Sequence, residues 1–236
     1  MTLVTMVIPI FNEGHILPDL LRELTKLQVT LEVSEFLIVD DGSNDATSDI
    51  LKQQSEIPYK ILSENMGKGG AVKAGIAHAN SPFVGIFDGD LEYHPEVISR
   101  IDEYAQIHRN ERYAIFASRY LDKERSSLLR NSGQNLSSIV MNEILVFMYK
   151  LFFQVEISDP LTGVKLYPRD FVNDLELTRN RFDGDHEIAI ALIKSGIKII
   201  EIPVEYTPRT KAEGKKIGFI DALMAFRTLM VGRFRS

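Results

Sequence analysis

Phe83-Val84-Gly85-Ile86-Phe87-Asp88-Gly89-Asp90 runs from five apolar residues straight into an acidic triplet. A short run this apolar reads as a buried strand. A buried strand that delivers carboxylates at its C-terminal end is how an open α/β sheet builds a ligand crevice. Asp88 and Asp90, flanking one glycine, are close enough to share a hard cation, which suggests a divalent metal holding a phosphorylated ligand. Asp and Gly also make ordinary turns after strands, so the weight of the triplet comes from its surroundings.

Upstream, Phe36-Leu37-Ile38-Val39 ends in a second acidic pair, Asp40-Asp41. Leu3–Ile10, Tyr59–Leu62 and Tyr113–Ala117 are further strand candidates. Helical patterns fall between them at His15–Leu27, Ala46–Gln54, Gly69–Ala79 and Pro95–His108. This alternation predicts an α/β fold, a mostly parallel sheet covered on both faces. After Ser118 a polar loop with Arg119, Lys123, Arg125 and Arg130 leads into Ile139–Phe153, apolar almost all round, with Glu143 and Lys150 on one narrow face. Such a helix is deeply buried or lies against something apolar. At the end, Phe219, Leu223, Phe226 and Met230 share one face, with Arg227, Arg233 and Arg235 around it. That pattern suits an interfacial amphipathic helix, a core helix or a dimerising one.

The 236 residues predict one large domain with a C-terminal extension. Without cysteine there is neither a disulfide framework nor a thiolate metal site, and the five scattered histidines show no helical ligand spacing. Met1 to Ile10 has no basic start, so no signal peptide is expected. No uninterrupted apolar segment reaches the roughly 18–20 residues of a membrane span. From Lys194 onward nine Lys/Arg face four acids, a net of +5 in a chain of net charge −6, which leaves −11 on residues 1–193. A basic tail on an acidic body points to an anionic partner, phosphate groups or an anionic membrane surface, or to a solvated basic helix.

Other motifs add chemistry. Asp40 is placed to accept hydrogen bonds from a base or ribose, and Ser43 or Asn44 to cap the next helix. Asn65-Met66-Gly67-Lys68-Gly69-Gly70 is a glycine-rich turn opening a helix, so backbone N–H groups and Lys68 can approach phosphate oxygens. It lacks the spacing and the Ser/Thr of a Walker A loop.

In order and spacing, Val7–Glu13, Val39–Ser43, Asn65–Gly70 and Asp88–Asp90 resemble the family-2 glycosyltransferases of the GT-A fold. Ser118-Arg119-Tyr120, Asp159–Lys165, Phe182–Glu187 and Glu201–Val204 through Arg209 to Lys216 resemble the polyprenyl-phosphate branch, typified by dolichyl-phosphate mannose synthase. The resemblance implies a GT-A domain over 1–212, with a nucleotide-sugar half (1–118), an acceptor half (119–212) and a basic amphipathic helix over 213–236. Pro9, Phe11, Asn12, Glu13 and Asp40 would line the nucleoside pocket, with Asp41, Lys68, Gly69 and Asp88 also on the donor. Asp88 and Asp90, with Glu92 as a third candidate ligand, would sit at a Mg²⁺ or Mn²⁺ bridging the donor's diphosphate. Asp90, Asp159, Arg119 and Arg209 are the implied catalytic set, and attack opposite the leaving group would invert the anomeric centre.

Two acceptors fit. A phosphate monoester, with a second pKa of about 6, is already ionised near neutral pH. It needs cationic positioning, which Arg119, Arg130, Arg209, Lys215 and Lys216 can supply. A saccharide hydroxyl needs a base, for which Asp159, Asp185, Glu187 and His186 are candidates. The implied activity is transfer of a hexose from a GDP- or UDP-sugar to dolichyl or undecaprenyl phosphate, at the cytoplasmic membrane face. A peripheral membrane contact or a membrane-protein partner would bring the lipid, no nucleic-acid partner is expected, and a homo-oligomer stays open. A nucleotidyltransferase is the rival enzyme, but Phe11-Asn12-Glu13-Gly14 is acidic where its phosphate loop is usually basic. A phospho-receiver domain carries its acidic pair after the first strand, not the second, and is about half this size.

Overall fold

The computed structural model describes residues 2–121, 136–175, 183–208 and 219–234, without the side chains of 136, 137, 183, 185 and 219–226. Seven strands form one sheet: β1 Val4–Ile10, β2 Ser34–Asp40, β3 Tyr59–Ile61, β4 Phe83–Phe87, β5 Tyr113–Ser118, β6 Val164–Pro168 and β7 Lys198–Pro203. Their order is β3-β2-β1-β4-β6-β5-β7. All neighbours pair in parallel except β6, which runs antiparallel between β4 and β5. Helices α1 Leu17–Gln28, α2 Thr47–Gln53, α3 Lys68–His78 and α4 Val97–Ile107 alternate with the first strands. The later ones are α5 Leu136–Phe153, α6 Arg169–Asn173, α7 Asp183–Lys194 and α8 Phe219–Phe234.

Strands buried on both faces explain why their sequences read as continuous apolar runs. Met6, Ile8 and Ile10 pack with Leu17, Leu20 and Leu24 of α1 and Ile98 and Ile101 of α4 on one side. Val7, Val84 and Ile86 pack with Ala71 and Ile76 of α3 and Leu145 and Tyr149 of α5 on the other. The five predicted strands and four predicted helices are present with small shifts at their ends. β6 and β7 were not anticipated. β6 carries Lys165 at its second position, 2% exposed and 5.3 Å from the centre of the Phe116 ring, and a lysine within so short a strand hides it from a hydropathy reading. The cap expected from Ser43 or Asn44 also differs. The N-cap of α2 is Ala46, and Asp45 Oδ1 takes the Thr47 N–H at 2.9 Å.

Strand order reverses between β1 and β4, which opens a crevice beyond their C-terminal ends. Because β6 is antiparallel, it is the segment before it, Ser158–Gly163, that reaches the same edge. The ends of β5 and β7 arrive there too, since Ser118 pairs with Pro203. Donor-type and acceptor-type residues far apart in sequence therefore share one edge. Half of α5 is buried through Leu145, Met148 and Tyr149, while Val140, Ile144, Phe147 and Leu151 form an exposed apolar stripe. On α8, Thr228 and Leu229 are buried and Arg227 and Arg233 exposed; Phe219, Leu223 and Phe226 lie outside the described side chains. Among the described residues no helix is long and apolar enough to cross a membrane.

Candidate active site

Three loops gather the residues expected to take the donor. After β1 the chain turns at Asn12, whose φ of +56° is one that short polar side chains tolerate best after glycine. The Asn12 N–H donates to Ser43 Oγ at 2.9 Å, and Asn12 Oδ1 accepts from the Asn44 N–H at 2.9 Å. The Glu13 N–H donates to Thr47 Oγ1 at 3.0 Å. The β1 and β2 loops are thus laced together, with Phe11 and Asn12 half-buried and Glu13 buried.

Asp40 is fully buried. One of its oxygens accepts from the Ser43 N–H and hydroxyl, and the other from the Ser48 hydroxyl. Both oxygens are thus engaged, and any ligand group reaching Asp40 would have to share them. Asp41 accepts from the Met66 N–H at 2.8 Å, so it ties down the glycine-rich turn. Burial pushes its carboxyl above the usual range, partly opposed by the Met66 and Gly67 N–H groups. Gly42 is required between them: at φ +69° a Cβ would stand 2.6 Å from the Glu64 carbonyl carbon. The turn delivers Lys68 at the first position of α3, where its Nζ lies 2.7 Å from Asp88 Oδ1.

Asp88 is also held by its own N–H, which donates to the Gly163 carbonyl at 3.3 Å. Gly163 packs so closely that any Cβ there would overlap the Asp88 carboxylate. Asp90 Oδ1 accepts from the Glu92 N–H at 3.1 Å. Glu92 turns the other way, its Oε2 accepting from the Tyr206 hydroxyl at 2.5 Å. Among the described residues no three His, Cys, Asp or Glu side chains gather as a metal site, so Glu92 does not join Asp88 and Asp90 in a cluster of three. Two carboxylates with no thiolate or imidazole still fit Mg²⁺ or Mn²⁺, because Mg²⁺ is commonly bound by one or two carboxylates with substrate phosphates completing its shell.

Among the residues expected to meet the acceptor, Arg119 and Asp159 form a buried, two-pronged pair. Nε and Nη2 each lie 2.7 Å from an Asp159 oxygen, and the Arg119 N–H adds a third bond at 3.0 Å. Asp159 is 0% and Arg119 9% exposed. Burial alone would lower the Arg119 pKa, but the Asp159 charge raises it well above the ordinary value. The guanidinium is flanked by two rings, Tyr120 at 5.3 Å and Tyr206 at 5.0 Å. Burial pushes the Tyr120 phenol up to about 12. Arg119 Nη1 makes no hydrogen bond among the described residues. Asp159 thus accepts three bonds from Arg119, on both of its oxygens, which suits a positioning group. Glu187 is half-buried, and His186 is buried with its Nδ1 2.9 Å from the Tyr149 hydroxyl. Arg130, Arg209, Lys215, Lys216 and the Asp185 side chain lie outside the described residues.

Several residues at this edge were given no site role by the sequence reading, although Gly163 and Glu201 fall in segments it quotes. Glu201 on β7 accepts from the Ser158 N–H and hydroxyl and the Asp159 N–H, so it shapes the loop that carries Asp159. Burial raises its carboxyl pKa. The Tyr93 hydroxyl accepts the Gly163 N–H at 2.9 Å. Only Gly163, a glycine just before a strand, carried a local signal, that of close backbone approach.

The described geometry can be set beside known proteins. Among solved structures, glucosyl-3-phosphoglycerate synthase from Mycobacterium tuberculosis, crystallised with Mn²⁺, uridine diphosphate and phosphoglyceric acid, matches with a TM-score of 0.71 at 15% identity, over 99% of this chain and 79% of that one. Mannosyl-3-phosphoglycerate synthase from Rubrobacter xylanophilus matches with a TM-score of 0.68 at 14% identity, over 99% and 76%. The shared architecture is the GT-A fold. By sequence, the undecaprenyl-phosphate 4-deoxy-4-formamido-L-arabinose transferase of Sodalis glossinidius is 36% identical over 108 residues, 43% of this chain and 33% of that protein. Glycosyltransferase AglJ of Haloferax volcanii is 23% identical over 208 residues, 87% and 63% of the two chains. The chain therefore spans less than two thirds of the length of these curated relatives. The model of glycosyl transferase family 2 matches residues 5–175, and the chain, a glycosyltransferase by its domain, belongs to that family.

Proposed function

We propose that this chain transfers a hexose, with inversion, from a UDP- or GDP-sugar to a polyprenyl phosphate, using Mg²⁺ or Mn²⁺ held by Asp88 and Asp90. One observation carries the reading: two carboxylates and a clamped guanidinium, whose Nη1 makes no hydrogen bond among the described residues, share one edge of the sheet. The carboxylates suit a metal-bound diphosphate, and the guanidinium suits an anion. A phosphate oxygen of the acceptor attacks the anomeric carbon, the bond from that carbon to the donor's diphosphate breaks, and the nucleoside diphosphate leaves. The bound metal supplies Lewis-acid neutralisation of the departing diphosphate. Asp88 and Asp90 orient the donor, Lys68 adds positive charge beside Asp88, and Arg119 seats the acceptor phosphate.

Several facts support the lipid acceptor over a saccharide hydroxyl. A phosphate acceptor needs no base, and Asp159, the buried base candidate, is committed to Arg119. The Sodalis relative is named for undecaprenyl phosphate. The metal and the nucleotide sugar draw support from a neighbour crystallised with Mn²⁺ and UDP-glucose. Peripheral contact with the cytoplasmic membrane face is part of the proposal, supported by the exposed apolar stripe of α5 and by Arg227 and Arg233 on α8. A thermal-shift panel of UDP- and GDP-sugars with and without Mn²⁺ tests the donor half. The expected result is stabilisation by one nucleoside family that depends on Mn²⁺ and weakens in Asp90→Ala; an equal response in that variant would remove Asp90 from the metal site.

A further inference from the structure

Tyr206 lies just beyond β7 and belongs to none of the acidic or glycine-rich motifs. Its hydroxyl donates to Glu92 Oε2 at 2.5 Å. Its ring centre is 5.0 Å from the Arg119 guanidinium carbon and 5.0 Å from the Tyr93 ring. The backbone is stitched at the same place. Tyr93 and Tyr206 form an antiparallel bridge, the Thr207 N–H donates to the Glu92 carbonyl at 2.8 Å, and the His94 N–H donates to the Glu205 carbonyl at 3.2 Å. Glu92 is thus gripped by both its carboxylate and its carbonyl.

That grip has an object. The Glu92 N–H is the donor that holds Asp90 Oδ1. Between them Leu91 has φ +56°, a left-handed conformation that is strained for a non-glycine residue. Such strain persists only where the surroundings over-determine it. Leu91 packs against the core on one side, and the Tyr206 segment fixes the turn on the other. Burial, then the Glu92 carboxylate, pushes the Tyr206 phenol above its ordinary value, so the hydroxyl keeps its proton and acts as a donor.

We propose that Tyr206 is a positioning residue for both sides of the reaction: its hydroxyl, through Glu92, holds the Asp90–Glu92 turn that aims Asp90, and its ring walls the seat of Arg119. The inference rests on the donor reading above, in which Asp90 holds the metal. It does not require Glu92 to be a ligand. Mn²⁺ binding to the full chain is followed by electron paramagnetic resonance in the presence of UDP and, separately, GDP. The variants are Tyr206→Phe, Glu92→Ala, the double variant and Tyr206→Leu.

Tyr206→Phe keeps the ring and loses the hydroxyl, so Mn²⁺ affinity falls about tenfold, the lower end of losses from removing an outer-shell partner. The double variant binds no more weakly than Glu92→Ala, because the hydroxyl acts through Glu92. Tyr206→Leu shows the same Mn²⁺ loss and also a raised KM for undecaprenyl phosphate in liposomes, which Tyr206→Phe does not. Wild-type Mn²⁺ affinity in Tyr206→Phe, even with a lowered Tm, overturns the proposal, as do losses that multiply in the double variant. An unchanged KM in Tyr206→Leu removes the role at Arg119. Turnover only with a saccharide defeats the lipid reading but leaves the Mn²⁺ result standing, whereas no Mn²⁺–nucleotide binding by the wild-type chain defeats the donor reading and this proposal together.

Discussion

At the scale of single residues, Asp159 shows how burial changes the role that a carboxylate can play. Its residue type fits a general base, and that alternative was open in the sequence. In the fold it is 0% exposed and bonded on both oxygens to Arg119. Breaking a buried pair from one side strands the other charge, at a cost of about 3–5 kcal/mol. Asp159→Asn should therefore lose stability of that order in urea unfolding; full stability with abolished turnover would instead mark Asp159 as a base. Glu201 supplies a pH test. Its folded pKa is raised, chiefly by burial, so the folded state binds the proton more tightly than the unfolded state. Its contribution is fully present below the unfolded value of about 4.5 and is lost as pH rises through the raised value. The stability gap between wild type and Glu201→Gln should narrow over that window, and a gap that widened would contradict the assignment. Asp88, Asp90 and Asp41 were legible because strand-end carboxylates have a local signature. Tyr93, Tyr206, Ser158 and Glu201 were not, since each acts through partners far away in the chain.

At the scale of elements, what positions the donor side is the close seat of α3 on β1. Gly75 faces Val7, and a Cβ there would overlap the valine side chain. Only a glycine lets α3 lie low enough for its first residue, Lys68, to reach Asp88. Gly75→Ala should cost about 1–3 kcal/mol by overpacking and weaken nucleotide binding with it; unchanged unfolding and binding would show that the helix seat has slack. β1, β2, β4 and β5 were legible because strands buried on both faces read as apolar runs, whereas β3 is a short edge strand, exposed to half-buried. β6 was hidden by Lys165, and β7 by Lys198 and Glu201, whose exposed or half-buried side chains break the run. Yet β6 matters most for the site. Its antiparallel course is what brings Ser158–Gly163 beside Asp88.

For the whole molecule, one sheet edge joins two kinds of chemistry. In the proposed reading the donor is met by residues after β1, β2 and β4, and the acceptor by those at the ends of β5 and β7 and the start of β6. Tyr93, Gly163 and Tyr206 tie the two together. The charge imbalance between residues 1–193 and the rest of the chain was visible in the sequence, but which groups meet the acceptor depends on folding. Metal-dependent transfer to a lipid phosphate can be followed by counting its two products. The full chain is incubated with UDP- and GDP-sugars, Mn²⁺ and liposomes containing undecaprenyl phosphate, and sugar is counted in the solvent-extracted lipid against nucleoside diphosphate released. The predicted result is one nucleoside diphosphate per lipid-linked sugar, lost with EDTA and falling at least about a hundredfold in Asp90→Ala, as expected when several kcal/mol of charge stabilisation are removed. Pyrophosphate release, or sugar appearing only on an added oligosaccharide, would contradict it.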